Sequence, residues 1–272
     1  MQARKEEKQD IMIYGVDERT ITEVFQNPTF SLTALNDEQI KLLERSMCGV
    51  TRSYLPKFNF VAPLVPYTLT VKRGADGHLK IAVYKQRKVN NEGKEYFVQS
   101  VGISAEVPFT DIVSYIDAED RHLLKQLSII DLVGSIRVAT FRQYNQLVDL
   151  TSNTCYEKYD NPVITPVVTR RAEVIGFLRD GKKKPGYEGC AHIAAVNLVT
   201  VPTDTYFRFT RPEYEFMGWI DVEFFEVIAN KQNAGYVDPL LDGPLEPWSL
   251  SLGVSGIDWE SIADKLIGEE DY

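Results

Sequence analysis

The chain has 272 residues, 44% of them hydrophobic and 25% charged, with 30 Lys and Arg against 39 Asp and Glu. That length buries a sizeable core, and the composition excludes a disordered or fibrous class. The net charge of −9 argues against general nucleic-acid binding, which needs a basic surface to displace counterions.

Cys48, Cys155 and Cys190 are odd in number and far apart. They fit neither a disulfide framework nor a paired zinc motif, which implies a reducing compartment. The stretch Met1 to Asp10 is charged throughout and is not expected to act as a secretory signal. No apolar run approaches the roughly 18 residues needed to span a bilayer, so a cytoplasmic protein with no membrane contact is expected.

Residues 1–60 read as an extension packed on the main domain. Within it, Asn36 or Asp37 caps a helix through Ile40, Leu42, Leu43 and Met47, with Gly49 as the expected stop. From Pro66 the texture changes. Tyr67 to Val71 and Leu79 to Tyr84 are rich in β-branched and aromatic residues, and Gly74 to Gly77 between them is a turn, so a hairpin is predicted. Tyr96 to Val98 and Val101 to Ile103 predict further strand.

The segment from Ser135 to Leu150 reads as a helix, because Ile136, Thr140, Tyr144 and Leu147 recur at three- to four-residue spacing. Its polar face carries Arg142, Gln143 and Gln146. Val174 to Leu178 is strand-like. Ala191 to Val201 is a nearly continuous apolar run, which predicts a strand buried on both faces. Tyr206 to Phe209 is expected to pair with it. Asp221 is a natural cap for a helix through Phe224, Phe225, Val227 and Ile228. Another short helix is expected from Trp259 to Ile267, before the acidic Glu269 to Asp271. Strands interleaved with helices, without regular βαβ alternation, predict an α/β (α+β) domain with a mixed sheet.

Several of these pieces resemble, in shared order, a subgroup of the Nudix family described as predicted phosphoesterases of bacteria, archaea and phages. Val65-Pro66-Tyr67 looks like its Pro-Tyr strand, and Val83-Tyr84-Lys85-Gln86-Arg87 looks like its strand ending in Tyr-x-Arg, with one residue more between the Tyr and the Arg. Val101 to Val107 stands where the family has Gly-x-Gly-Gly-His-Ile. Ile175 to Leu178 and Ala191-His192-Ile193 match later strands, and Leu245-Glu246-Pro247-Trp248-Ser249 matches Leu-Glu-x-Trp-Ser. The resemblance implies a Nudix-like mixed sheet sandwiched between helices over residues 61–250, with residues 251–272 as a C-terminal helix and acidic tail.

The family's box ends in Arg-Glu-U-x-Glu-Glu-x-Gly-U, with U aliphatic, and its glutamates hold Mg²⁺ or Mn²⁺ against a diphosphate. A hard cation needs anionic oxygens. The aligned stretch is Arg142 to Leu150. Arg142 is kept, but Gln143, Gln146 and Leu147 stand at the glutamates and Asp149 at the glycine. Ser104 and Ala105 replace the upstream glycine pair.

The resemblance therefore implies a pseudoenzyme without catalytic residues or a bound metal. It would bind a nucleotide-like small molecule or a protein partner, with Arg87, Glu106, Arg142, Gln143 and Gln146 as candidate ligand contacts. Gln143 and Gln146 also read as solvated helix-surface residues. The alternative is a diverged phosphohydrolase that holds Mg²⁺ with carboxylates from Glu106 to Asp120 or from Glu213 to Asp221. Arg73, Lys85, Lys88 and Lys182 to Lys184 are further candidates for phosphate contact. His192 reads as a core histidine, and Trp248 as a core-closing aromatic.

Overall fold

The strand at the centre of the fold is β3 (Val61–Arg73). Its β-branched and aromatic residues alternate between two buried faces, as a strand with both sides covered requires. The structure is a computed structural model and describes residues 12–25, 32–51, 61–90, 92–104, 148–152, 172–179, 192–201, 205–209, 214–236 and 243–267.

The sheet around β3 is mixed and, among the described residues, has nine strands. β1 (Met12–Asp17) pairs antiparallel with the start of β3 and with β2 (Met47–Thr51). β4 (Leu79–Val89) returns from β3 across a turn in which Gly77 has φ of 82°, a conformation that glycine adopts without steric cost. β5 (Glu95–Ser100) pairs with the distal half of β4, and β6 (Gly102–Ser104) pairs with β3. β8 (Ala172–Arg179) runs antiparallel to β9 (Ile193–Thr200). β9 lies parallel to β3 from Leu64↔Ile193 to Val71↔Thr200, and every one of its residues is buried. β11 (Tyr214–Asp221) pairs with β4, with a bulge at Met217.

Two strands form a second sheet: among the described residues, β7 (Val148–Ser152) and β10 (Thr205–Phe209) pair with each other and with no other strand. Two expectations are corrected here. The helix read from Ser135 to Leu150 cannot include its last three residues, because Val148, Asp149 and Leu150 are ladder residues of β7. Tyr206 to Phe209 pairs with β7 and not with the apolar strand β9, whose two edges are taken by β3 and β8. The rest of the proposed helix lies outside the described residues.

Helices cover the two sheet faces, and each makes its own core. On one face Val65, Tyr67, Leu69 and Val71 of β3 pack under α3 (Val222–Asn233), α4 (Pro247–Gly253) and α5 (Trp259–Ile267). On the other face Leu64, Ala195 and Phe177 meet α1 (Glu18–Val24) and α2 (Asp37–Ser46) through Ile21, Val24 and Leu43. Burying a side chain of this size stabilises by about 1.5–3 kcal/mol. The sandwich expected from sequence is therefore present.

Local signals set the helix ends. Asn36 accepts from the Gln39 amide while Gln39 reaches back to the Asn36 amide, a reciprocal cap on α2. That helix stops at Ser46, before Gly49, because Met47 already extends into β2. Asp221 precedes α3 but makes no side-chain cap; its carboxylate pairs with Lys80 at 3.1 Å. Among the described residues no helix is long and apolar enough to cross a membrane.

Candidate functional site

Three of the sequence signatures meet at one buried point under α4. Tyr67 comes from β3, Ser100 and Gly102 from the β5–β6 junction, and Glu246 with Ser249 from the start of α4. The Tyr67 hydroxyl donates to Glu246 Oε2 at 2.7 Å and lies 2.7 Å from Ser249 Oγ and 3.0 Å from Ser100 Oγ. Ser100 and Ser249 also donate to Glu246 Oε2, at 3.2 and 3.1 Å. Ser249 Oγ in turn accepts from the Val101 amide at 3.0 Å. The other carboxylate oxygen of Glu246 faces the Trp248 amide at 3.4 Å, capping α4.

Packing completes the clamp. Trp248 meets the Tyr67 ring edge-on, with centroids 5.3 Å apart and an interplanar angle of 83°. A side chain on Gly102 would start 2.2 Å from that ring, so only glycine fits. Burial, followed by the nearby Glu246 carboxylate, holds the Tyr67 phenol well above its ordinary pKa. A carboxylate surrounded by donors is a satisfied polar group. Pro66-Tyr67, Val101-Gly102 and Leu245 to Ser249 therefore form a structural lock that ties α4 to the sheet. Trp248 is the core-closing aromatic that its sequence context suggested.

The opposite face of the same strands differs. There Thr68 and Thr70 of β3, Tyr84 of β4 and Asn197 of β9 place polar groups within a buried layer. Tyr84 donates to Thr70 Oγ1 at 3.3 Å, and its burial raises its pKa. Gln86 donates to the Tyr214 hydroxyl at 3.0 Å, and that hydroxyl donates to the Ser104 carbonyl at 3.3 Å. Asn197 is fully buried and its amide nitrogen donates to the Ala195 carbonyl at 2.9 Å. Among the described residues its Oδ1 has no hydrogen-bond partner. A buried acceptor left without a donor costs about 1–3 kcal/mol. Sequence reading passed over Asn197 because one amide in an apolar run carries no motif.

The sequence candidates are placed as follows. Arg87 lies on the exposed distal half of β4 and pairs with Glu95 at 3.4 Å. Arg73 bonds Asp264 at 2.5 Å and Glu260 at 2.6 Å, holding α5 to the hairpin, and so serves the fold. The Lys85 ammonium sits 4.6 Å over the Phe97 ring. His192 directly precedes β9 and does not lie within it. Glu106, Arg142, Gln143 and Gln146 lie outside the described residues, as do Glu213 and Lys182 to Lys184. Among the described residues, no group of three His, Cys, Asp or Glu side chains is placed to hold a metal ion.

No family model matches the sequence, and no curated protein sequence matches it. A solved structure does. The crystal structure of Tm1382, described as a candidate Nudix hydrolase, aligns with a TM-score of 0.50 over 80% of this chain and 90% of that one, at 15% identity. The fold is Nudix-like. A NUDIX hydrolase from Alicyclobacillus acidocaldarius aligns over 66% of this chain and 87% of its own, at 10% identity and a TM-score of 0.36, too loosely to add to the assignment. At such identities a Nudix-like fold carries architecture and not chemistry.

Proposed function

We propose that this Nudix-fold protein is a binding module without Nudix hydrolase activity, holding a nucleotide-like ligand or a protein partner. The observation that carries the reading is the chemistry of the box positions. Gln143 and Gln146 keep a carbonyl oxygen but no charge, and Leu147 offers no ligand atom at all. A divalent cation that must neutralise a diphosphate needs anionic oxygens at those places. The unpaired Asn197 Oδ1 adds support, since it is an acceptor that a bound donor group would satisfy.

The test is a thermal-shift screen of nucleotides and dinucleotides, with and without Mg²⁺ or Mn²⁺, run beside a product assay. Stabilisation that is independent of metal, with no turnover, is expected. Metal-dependent cleavage of any nucleoside diphosphate derivative overturns the reading in favour of a diverged phosphohydrolase with relocated carboxylates. The paired substitution Gln146→Glu and Leu147→Glu checks the alignment: metal affinity should return, and no change would mean that the box lies elsewhere.

A further inference from the structure

The outer edge of β8 is covered by a short piece of the chain's own N-terminal part. β8 pairs with β9 on one side. On the other, Phe177 and Thr33 exchange two backbone hydrogen bonds, each amide donating to the other's carbonyl at 2.9 Å. Thr33 lies in the stretch between α1 and α2, and its neighbours reach to both sides of the sheet. Leu32 packs against the core under α3, α4 and α5, and Leu35 against the core under α1 and α2. The Leu32 amide also donates to Ser255 Oγ, just beyond α4, at 3.2 Å. Residues 32–35 therefore clip over the β8 edge from one layer to the other.

The strand is shaped to receive this clip. At Gly176 an added Cβ would lie 2.9 Å from Cγ and Cδ1 of Leu32 and 3.0 Å from the Thr33 carbonyl oxygen, so the close approach depends on the missing side chain. Next to it, Phe177 is buried in one core and Leu178 in the other. From Val174 to Leu178 the strand carries no charged residue. An uncharged strand, apolar on both faces, is the kind that adds to another sheet when its edge is bare.

We propose that residues 32–35 are a removable edge guard, which by occupying β8 keeps the β8 of a second copy from pairing with it and joining two sheets into one. The contest is for the Phe177 amide and carbonyl. While the guard is closed, Thr33 satisfies both from within the same chain, at an effective concentration that a second molecule does not match. Lifting the guard leaves both groups without a partner, which a backbone tolerates poorly away from water. A second copy with its own guard lifted presents the same edge, so the contact that satisfies both molecules is self-complementary and two-fold.

Two variants of the full chain test this. Thr33→Pro removes the amide that donates to Phe177 and keeps both leucine anchors. Leu32→Ser with Leu35→Ser loosens the anchors and keeps the Thr33 backbone. Each is followed by sedimentation velocity over a concentration series, by hydrogen exchange of the Phe177 amide at the dilute and concentrated ends, and by circular dichroism to establish folding. When dilute, both should be folded and exchange the Phe177 amide at least about tenfold faster than wild type, as local opening predicts. When concentrated, both should sediment as dimers and regain protection at Phe177. The wild type should keep Phe177 protected throughout, without this gain in mass. A folded variant that stays monomeric, one whose Phe177 exchanges as slowly as in wild type when dilute, or association that leaves Phe177 unprotected overturns the proposal. If Thr33→Pro fails to fold, the paired serine variant decides by the same readouts; if both fail, residues 32–35 are part of the core and the guard does not exist.

Discussion

Replacing Tyr67 with Phe removes one hydroxyl from the lock and leaves the ring in place. The edge-on contact with Trp248 persists, so almost no packing term is lost. What disappears is the 2.7 Å hydrogen bond to Glu246 Oε2, together with the contacts to Ser100 and Ser249. Glu246 is 6% exposed and Tyr67 1%, so water does not replace the lost donor. A hydrogen bond to a charged group contributes about 1.5–3 kcal/mol. For a chain of this size each kcal/mol moves the melting temperature by about 2 °C, so Tyr67→Phe should lower it by about 3–6 °C. Calorimetry or denaturant unfolding measures this directly. Because the two residues share one network, the double variant with Glu246→Gln should depart from additivity by about 0.5–3 kcal/mol. A Tyr67→Phe protein within about 0.5 kcal/mol of wild type, or strict additivity with Glu246→Gln, would refute the assignment of these residues to a single clamp.

Gly102→Ala should destabilise by about 1–3 kcal/mol, since its Cβ would start inside the Tyr67 ring; unfolding midpoints test this, and a neutral result would mean that the ring can move aside. The buried phenols of Tyr67 and Tyr84 have raised pKa values, so the native state holds protons that the unfolded chain releases near pH 10. Stability contributed by the neutral phenols is complete below about pH 10 and falls as pH rises beyond it toward the folded-state values, so unfolding and the phenolate absorbance of these two residues should appear together in an alkaline titration. Asn197→Val should leave the free protein at least as stable, because losing an unpaired acceptor offsets losing the bond to Ala195, while weakening any nucleotide seen in the thermal-shift screen about tenfold or more. Arg87→Ala should change stability by less than about 0.5 kcal/mol, its pair with Glu95 being open to water.

Local chemistry wrote much of the fold into the sequence. The hairpin of β3 and β4, the fully buried β9, the capped α2 and the short α5 were all legible, because β-branched runs, turn glycines, caps and helical periodicity act over a few residues. The ends of elements were less so. Gly49 looked like a helix stop, yet the chain had already turned into β2 at Met47, where pairing with β1 outweighs a glycine signal. Tyr206 to Phe209 shows the same limit from the other side: it reads as a strand, but which strand it joins depends on which edges remain open, and β9 had none. Val148 to Leu150 reads as the end of a helix by its spacing, and pairing with β10 overrides that local pattern.

The candidate site divides in the same way. Sequence alone determined that Gln143, Gln146 and Leu147 carry no charge, since charge is a property of residue type; their standing at the box positions belongs to the proposed function. Tertiary structure decided that Tyr67, Glu246 and Ser249 form a lock, that Arg73 fastens a helix, and that Asn197 is buried with an acceptor unanswered. Each of those depends on groups far apart in the chain arriving within hydrogen-bond distance. Tyr67 and Glu246 are 179 residues apart and meet at 2.7 Å, a separation that no local pattern encodes.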